Sequence, residues 1–231
     1  MTESPTSRYT RPPHVRARAP VHPALWTILG IMVVIELVMS LADRGLMPGS
    51  FSRWVLYSGF GFFDTMFEAA RQDGVIHAQL LWSLVTHAFL HGGWLHLGLN
   101  GAAFIGLGHA LTRMGGIRAV LAIFLVTAVA GAVTFGIVAE SRAPLVGASG
   151  VVFGFLGTLT AWQEQALRRR GAPRDAIWAR VMGVIFINVI MAGGAFGGIH
   201  IAWEAHLGGF AAGWLMASVF QPKSSMGVLT P

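Results

Sequence analysis

Six apolar runs divide the chain, and each is long enough to cross the hydrocarbon core of a membrane. Numbered one to six along the chain, they cover residues 24–42, 94–112, 117–138, 149–167, 181–198 and 201–220. A membrane-spanning helix needs about 20 apolar residues, and only helices and closed barrels can span lipid. The pattern therefore predicts an all-α, polytopic membrane protein with one six-helix domain over residues 24–220.

The segments outside these spans differ in character. Residues 1–23 combine four arginines with several prolines, which predicts a disordered basic tail, and residues 221–231 form a second, short tail. The long first loop, residues 43–93, mixes aromatic residues with scattered charges. Because so apolar a loop favours the membrane interface, we expect part of it to form short helices there.

Composition and charge agree with a membrane protein and indicate its orientation. Hydrophobic residues make up 54% of the chain and charged residues only 11%, against about 25% charged in soluble domains. With a cytoplasmic N-terminus, twelve of the sixteen basic residues lie on the cytoplasmic side, as the positive-inside rule requires. This topology explains the net charge of +6 without a nucleic-acid partner. We expect both termini in the cytoplasm, a lipid bilayer around the domain, and no cleaved signal peptide.

Three of the spans carry polar residues at the same end. Span two begins with His96 and Asn100, span four with Ser149, and span six holds His206 in its first turns. These three spans all run from the outer to the inner face, so the four side chains should meet near the outer face. Polar groups within a membrane are costly and are functional candidates by default.

Glycines provide a way to bring two of these helices together. Gly209 and Gly213 form a GxxxG pair on span six, a spacing that lets membrane helices approach closely. A second small-residue stripe lies on span four, at Gly150, Gly154 and Gly157. At about 100° per residue, Ser149 lies beside this stripe and should face a cavity.

The serine of span four and the histidine of span six can form a catalytic pair. A serine hydroxyl becomes nucleophilic when a histidine within hydrogen-bond reach accepts its proton. Ser149 and His206 are predicted to be this pair. Glu204 lies on a different face of span six from His206, so a two-residue dyad is the simplest arrangement.

Acyl transfer also requires hydrogen-bond donors for the developing oxyanion. The first turn of a helix has free N–H groups, which predicts backbone donors around Gly147 and Ala148 at the start of span four. The side chains of His96 and Asn100 are the further candidate donors from span two.

Other functions use the same residues differently. His87 and His91 have helical metal-ligand spacing, and His96 or Glu204 would complete a zinc site. The intervening glycines and the missing HExxH glutamate disfavour that site, and the chain has no cysteine for a thiolate site. A transporter would carry midplane polar groups and an internal repeat. Each polar residue could also serve only in packing, as a helix cap or an interhelical bridge.

Taken in order, these motifs resemble those of the rhomboid intramembrane serine proteases. HLGLN at 96–100 matches the family's HxxxN, GASG at 147–150 its GxSG, and AHLGG at 205–209 its histidine motif. The resemblance extends over all six spans and the long first loop. One departure is in that loop, where Arg53-Trp54 reverses the order of the family's Trp-Arg pair.

The resemblance implies a role for each matching residue. It makes Ser149 the nucleophile, His206 the general base and acid, and His96 and Asn100 the oxyanion stabilisers. Structural or water-organising roles near the site fall to the remaining matches, which are His87, His91, Gly209 and Gly213. A mobile cap is implied at residues 197–202.

The resemblance also implies an activity and its setting. The substrates would be transmembrane proteins, cleaved at a peptide bond in or next to their membrane span, with no metal or organic cofactor. The implied location is the plasma membrane, with the active site opening to the extracytoplasmic side. The alternative is a catalytically silent rhomboid-like protein that binds membrane clients. The sequence does not indicate the oligomeric state.

Overall fold

The computed structural model describes residues 19–139, 141, 143–192 and 202–223. Over these residues it is all-α and contains no β-strand, which confirms the predicted fold class. The helices are α1 (Pro23–Asp43), α2 (Arg53–Phe60), α3 (Asp64–Gln72), α4 (Ala78–Thr86), α5 (Trp94–Gly115), α6 (Ile117–Val138), α7 (Ser149–Arg169), α8 (Asp175–Ala192) and α9 (Trp203–Val219). The predicted cap, apart from Ala202, and most of both predicted tails lie outside the described residues.

The six predicted spans correspond to α1, α5, α6, α7, α8 and α9. Two of them, α1 and α6, are long and apolar enough to cross a membrane by length and composition alone. The main difference is at α8, which begins at Asp175 instead of residue 181. Asp175 suits a helix start because a negative side chain there interacts favourably with the helix dipole.

The long first loop is helical in three places, α2, α3 and α4, with short 3₁₀ turns at Gly49–Phe51 and His87–Phe89. The predicted short helices are therefore present. Their position in a membrane interface stays a prediction.

Helix α9 packs against α6 and α7, and its contact with α7 is a glycine seam. A Cβ atom at Gly209 would overlap the backbone carbonyl of Gly150, and one at Gly213 would overlap that of Gly154. The two backbones therefore touch without side chains between them, as the small-residue spacing predicts. This contact brings the N-terminal ends of α7 and α9 together.

The connection between α6 and α7 is held by the first loop. Phe62 and Leu145 exchange two backbone hydrogen bonds, with N···O distances of 3.2 and 2.8 Å. A carboxylate oxygen of Asp64 accepts the N–H of Ser141 at 2.9 Å. These bonds fix the segment that leads directly into Ser149.

Candidate active site

Ser149 and His206 meet where α7 and α9 begin. Ser149 is the first residue of α7, and His206 is in the first turn of α9. The hydroxyl oxygen Oγ of Ser149 lies 2.9 Å from Nε2 of His206. His206 is only 4% exposed, whereas Ser149 is partly open to its surroundings. The structure therefore brings the predicted pair within hydrogen-bond distance.

Two side chains hold the His206 ring. Phe153, one helical turn after Ser149, stacks on it with a centroid distance of 4.4 Å and an interplanar angle of 6°. Asn188 of α8 places Oδ1 at 3.2 Å from Nδ1 of His206. Sequence reasoning assigned no role to either residue. The available signal was Asn188 itself, a lone amide within an apolar span, where polar groups are functional candidates.

His96 and Asn100 lie beside the segment that precedes Ser149. Nδ1 of His96 accepts the N–H of Gly92 at 3.1 Å, so in the neutral ring Nε2 carries the proton and is a donor. That edge of the ring faces Gly147, where an added Cβ would be 2.9 Å from Nε2. Asn100 is buried and donates from Nδ2 to the His96 carbonyl at 3.0 Å.

The amides of Gly147 and Ala148 already have acceptors in the protein. The N–H of Gly147 donates to the His87 carbonyl at 2.9 Å, and that of Ala148 to Nε2 of His91 at 3.5 Å. These two N–H groups, which we predicted as oxyanion donors, instead hold the loop before α7 to residues 87–91, the histidine segment. The first helical hydrogen bond of α7 joins the Val152 N–H to the Ala148 carbonyl, so the Ser149 amide precedes the helical ladder.

His87 and His91 are buried supports of this loop. Besides their contacts to Gly147 and Ala148, Nε2 of His87 donates to the Ala128 carbonyl at 3.3 Å. Burial lowers the pKa of His87 to about 4. Burial, together with the nearby His96, lowers the pKa of His91 to about 3. Both rings are therefore neutral at pH 7, and their Nε2 atoms face backbone groups. Among the described residues, no three His, Cys, Asp or Glu side chains are grouped so that they could hold a metal ion, which disfavours the alternative zinc site.

An ion pair fixes the histidine segment to α1. Arg53 donates to the buried carboxylate of Glu36 at 2.7 Å and to the carbonyl of His91 at 2.6 Å. The hydroxyl of Tyr57 donates to the same carbonyl at 2.6 Å. The hydrogen bond to Glu36 raises the pKa of Arg53 above its ordinary value. Sequence reasoning found no role for Glu36, although a lone carboxylate in an apolar span implies a cationic partner.

Comparison with known proteins identifies the family. The rhomboid domain matches residues 78–223, from the start of α4 to just beyond α9. The chain belongs to the rhomboid family. The matched region of this rhomboid domain includes the four polar side chains that meet at the starts of α5, α7 and α9, and family membership makes the chain a multi-pass membrane protein.

Three relatives illustrate the range of similarity. Rhomboid protease GluP of Bacillus subtilis is 32% identical over 149 residues, which are 64% of this chain and 28% of that protein. RHOMBOID-like protein 1 of Arabidopsis thaliana is 31% identical over 160 residues, 66% of this chain and 38% of that protein. Rhomboid-like protease 5 of Toxoplasma gondii is 28% identical, with 69% and 18% covered. This rhomboid chain thus spans less than two fifths of the length of each relative.

Proposed function

We propose that this rhomboid protein is an intramembrane serine endopeptidase, with Ser149 as the nucleophile and His206 as the general base and acid. The observation that carries the proposal is the 2.9 Å contact between Oγ of Ser149 and Nε2 of His206. It joins a partly exposed serine to a buried histidine, which is the arrangement that activates a hydroxyl.

The chemistry follows from this contact. As Oγ of Ser149 attacks the carbonyl carbon of the scissile bond, its proton passes to Nε2 of His206. The tetrahedral intermediate collapses when His206 gives that proton to the leaving amine, and an acyl-enzyme remains on Ser149. A water molecule then attacks the ester with His206 again as base, which releases the acid product and restores the serine.

Three donors are available for the oxyanion. The Ser149 amide precedes the hydrogen-bonded ladder of α7. The helix dipole of α7 also favours negative charge at the start of the helix. Nε2–H of His96 faces the same loop, and Asn100 has a second amide hydrogen besides the one it gives to the His96 carbonyl. Each such donor contributes about 10²-fold to 10³-fold in rate in well-studied enzymes.

The substrates we propose are transmembrane proteins cleaved in or next to a membrane span. A peptide bond within a helix is shielded by its hydrogen bonds, so a locally unwound substrate segment is required. We propose the plasma membrane as the location, and the charge distribution supports an orientation with both termini cytoplasmic and the site opening outward. The dyad itself needs no metal or organic cofactor.

The test uses the purified protein in liposomes with a model single-span substrate, and compares the wild type with Ser149→Ala and His206→Ala. We expect cleavage by the wild type, unchanged by EDTA, and a loss of at least about 10³-fold in both variants. The control is Ser218→Ala, which should cleave normally. Ser218 is an exposed residue near the end of α9, and its hydroxyl donates to the Leu215 carbonyl.

Cleavage that persists in Ser149→Ala would exclude the dyad. A wild type that binds the substrate stably, cleaves none of a panel of such substrates, and leaves Ser149 unmodified by a fluorophosphonate would favour the silent, client-binding alternative.

A further inference from the structure

Asn188 is a polar residue on an otherwise apolar helix. Helix α8 reads DAIWARVMGVIFINVIMA, and after Arg180 its only polar side chain is Asn188. The neighbouring side chains Phe186 and Val189 are 66% and 63% exposed, whereas Asn188 is 1% exposed. Asn188 thus lies on the one face of this part of α8 that turns inward.

The hydrogen bonds of Asn188 define which way its amide points. Nδ2 donates to the carbonyl of Val184, one turn earlier on α8, at 2.7 Å. With the nitrogen used in this way, the oxygen Oδ1 faces His206, at 3.2 Å from Nδ1. A carbonyl oxygen can only accept, so Nδ1 of His206 must carry the hydrogen.

This contact decides the protonation of the opposite ring nitrogen. In a neutral imidazole one nitrogen is a donor and the other an acceptor. Because Asn188 accepts a hydrogen bond from Nδ1–H, that nitrogen keeps the hydrogen. Nε2 is then the acceptor that faces the Ser149 hydroxyl. Phe153 stacks on the ring and sets its plane, but stacking does not distinguish the two tautomers.

We propose that Asn188 is the positioning residue of the dyad, holding His206 in the tautomer whose Nε2 can accept the Ser149 proton. The proposal rests on the serine-protease function proposed above. It gives this two-residue dyad a neutral third member, supplied by α8, in the place where a carboxylate would orient the histidine in a triad. The amide also stabilises the imidazolium formed during catalysis, since Oδ1 accepts from the protonated ring.

The matched variants are Asn188→Leu, Asn188→Asp and Val189→Ala. Leucine keeps the approximate shape of asparagine and removes the acceptor. Aspartic acid retains an oxygen acceptor toward Nδ1. Val189→Ala alters an exposed neighbour on the same helix turn and serves as the control for disturbance of α8.

The measurements are kcat and KM for a single-span substrate in liposomes, the rate at which a fluorophosphonate modifies Ser149, and the melting temperature. We expect Asn188→Leu to lower kcat and the modification rate by about tenfold, the effect of losing one net hydrogen bond. Its KM should stay close to that of the wild type. Asn188→Asp should recover most of the lost kcat, and Val189→Ala should behave as the wild type.

The possible results separate the two proposals. If Asn188→Leu reacts with the probe at the wild-type rate, the positioning role is wrong and the dyad stands. If Asn188→Leu raises KM or lowers the melting temperature while kcat is unchanged, Asn188 is a structural bridge only, and the proposal is again wrong. If the wild type is neither modified by the probe nor active, the proposed protease function fails, independently of Asn188.

Discussion

Gly147 meets two requirements that only a residue without a side chain can satisfy. Its φ of +116° is in a region that L side chains rarely adopt. An added Cβ would also lie 2.8 Å from Cε1 of His96, closer than carbon atoms pack. The glycine before the serine therefore serves the backbone conformation and the position of a candidate oxyanion donor at once.

These two requirements can be separated by mutation. Gly147→Ala would be destabilised by the unfavourable φ, by about 1–3 kcal/mol, and would also displace the His96 ring. Gly171 has a φ of +63° and nothing within 4 Å of an added Cβ. Gly171→Ala is therefore destabilised only by its unfavourable φ, by about 1–2 kcal/mol. We expect both variants to lower the melting temperature, and only Gly147→Ala to lower kcat, by about 10-fold or more. Equal kcat values in the two variants would contradict a role for His96 in the transition state.

At the scale of helices, the seam between α7 and α9 determines the dyad distance. Ser149 is followed directly by Gly150, and His206 is three residues before Gly209, so the contact of these glycines adjoins the reacting groups. Any increase in the separation of the two backbones would move Oγ away from Nε2.

A methyl group at the seam tests this relation. Gly209→Ala would overlap the Gly150 carbonyl, whereas Gly106→Ala on α5 meets nothing within 4 Å. Overpacking of this kind costs about 1–3 kcal/mol, so Gly209→Ala should lower both the melting temperature and the rate of Ser149 modification. Gly106→Ala should leave the rate of Ser149 modification unchanged and should not lower the melting temperature, since alanine has the higher helix propensity. A fully reactive Gly209→Ala protein would show that the seam does not set the dyad geometry.

The sequence could predict these helices because their signals are local or periodic. The apolar runs, the GxxxG spacing and the shared orientation of three spans all follow from the chain alone. The rotation of α8 about its axis does not, since a helix that is apolar all round has no preferred face in its pattern. The contact of Asn188 with His206 therefore required coordinates.

At the scale of the whole molecule, the site depends on elements distant in sequence. The first loop fixes the approach to α7 through Phe62 and Leu145, and Arg53 connects Glu36 of α1 to the His91 carbonyl. In the sequence, Arg53 and Glu36 are isolated charges with no pattern that pairs them. Their pairing depends on how the first loop folds back over α1, and no local pattern encodes that path.

The buried histidines of this framework predict a loss of stability in acid. The pKa of His87 is lowered to about 4 and that of His91 to about 3, against about 6.5 in an unfolded chain. Below pH 6.5 the unfolded chain binds protons that the folded protein does not, so the free energy of unfolding falls as pH decreases. We expect a loss of about 2 kcal/mol for each of these histidines at pH 5.

Melting temperatures between pH 7.5 and pH 5 measure this effect. The decrease on acidification should be smaller in His87→Gln than in the wild type. His77 is exposed, so His77→Gln should retain the full decrease. An acid dependence of the same size in all three proteins would assign it to other groups.

The parallel stack of Phe153 on His206 gives the assembled site a magnetic signature. A benzene ring whose centroid lies 4.4 Å from that of an imidazole, at an interplanar angle of 6°, shields the carbon-bound protons of the imidazole that lie over its face. The Cε1 and Cδ2 protons of His206 should therefore resonate upfield of those of an exposed histidine. Because Phe153 is on α7 and His206 on α9, this shift reports how closely the two helices are docked. Nuclear magnetic resonance could thus follow the integrity of the dyad without any substrate.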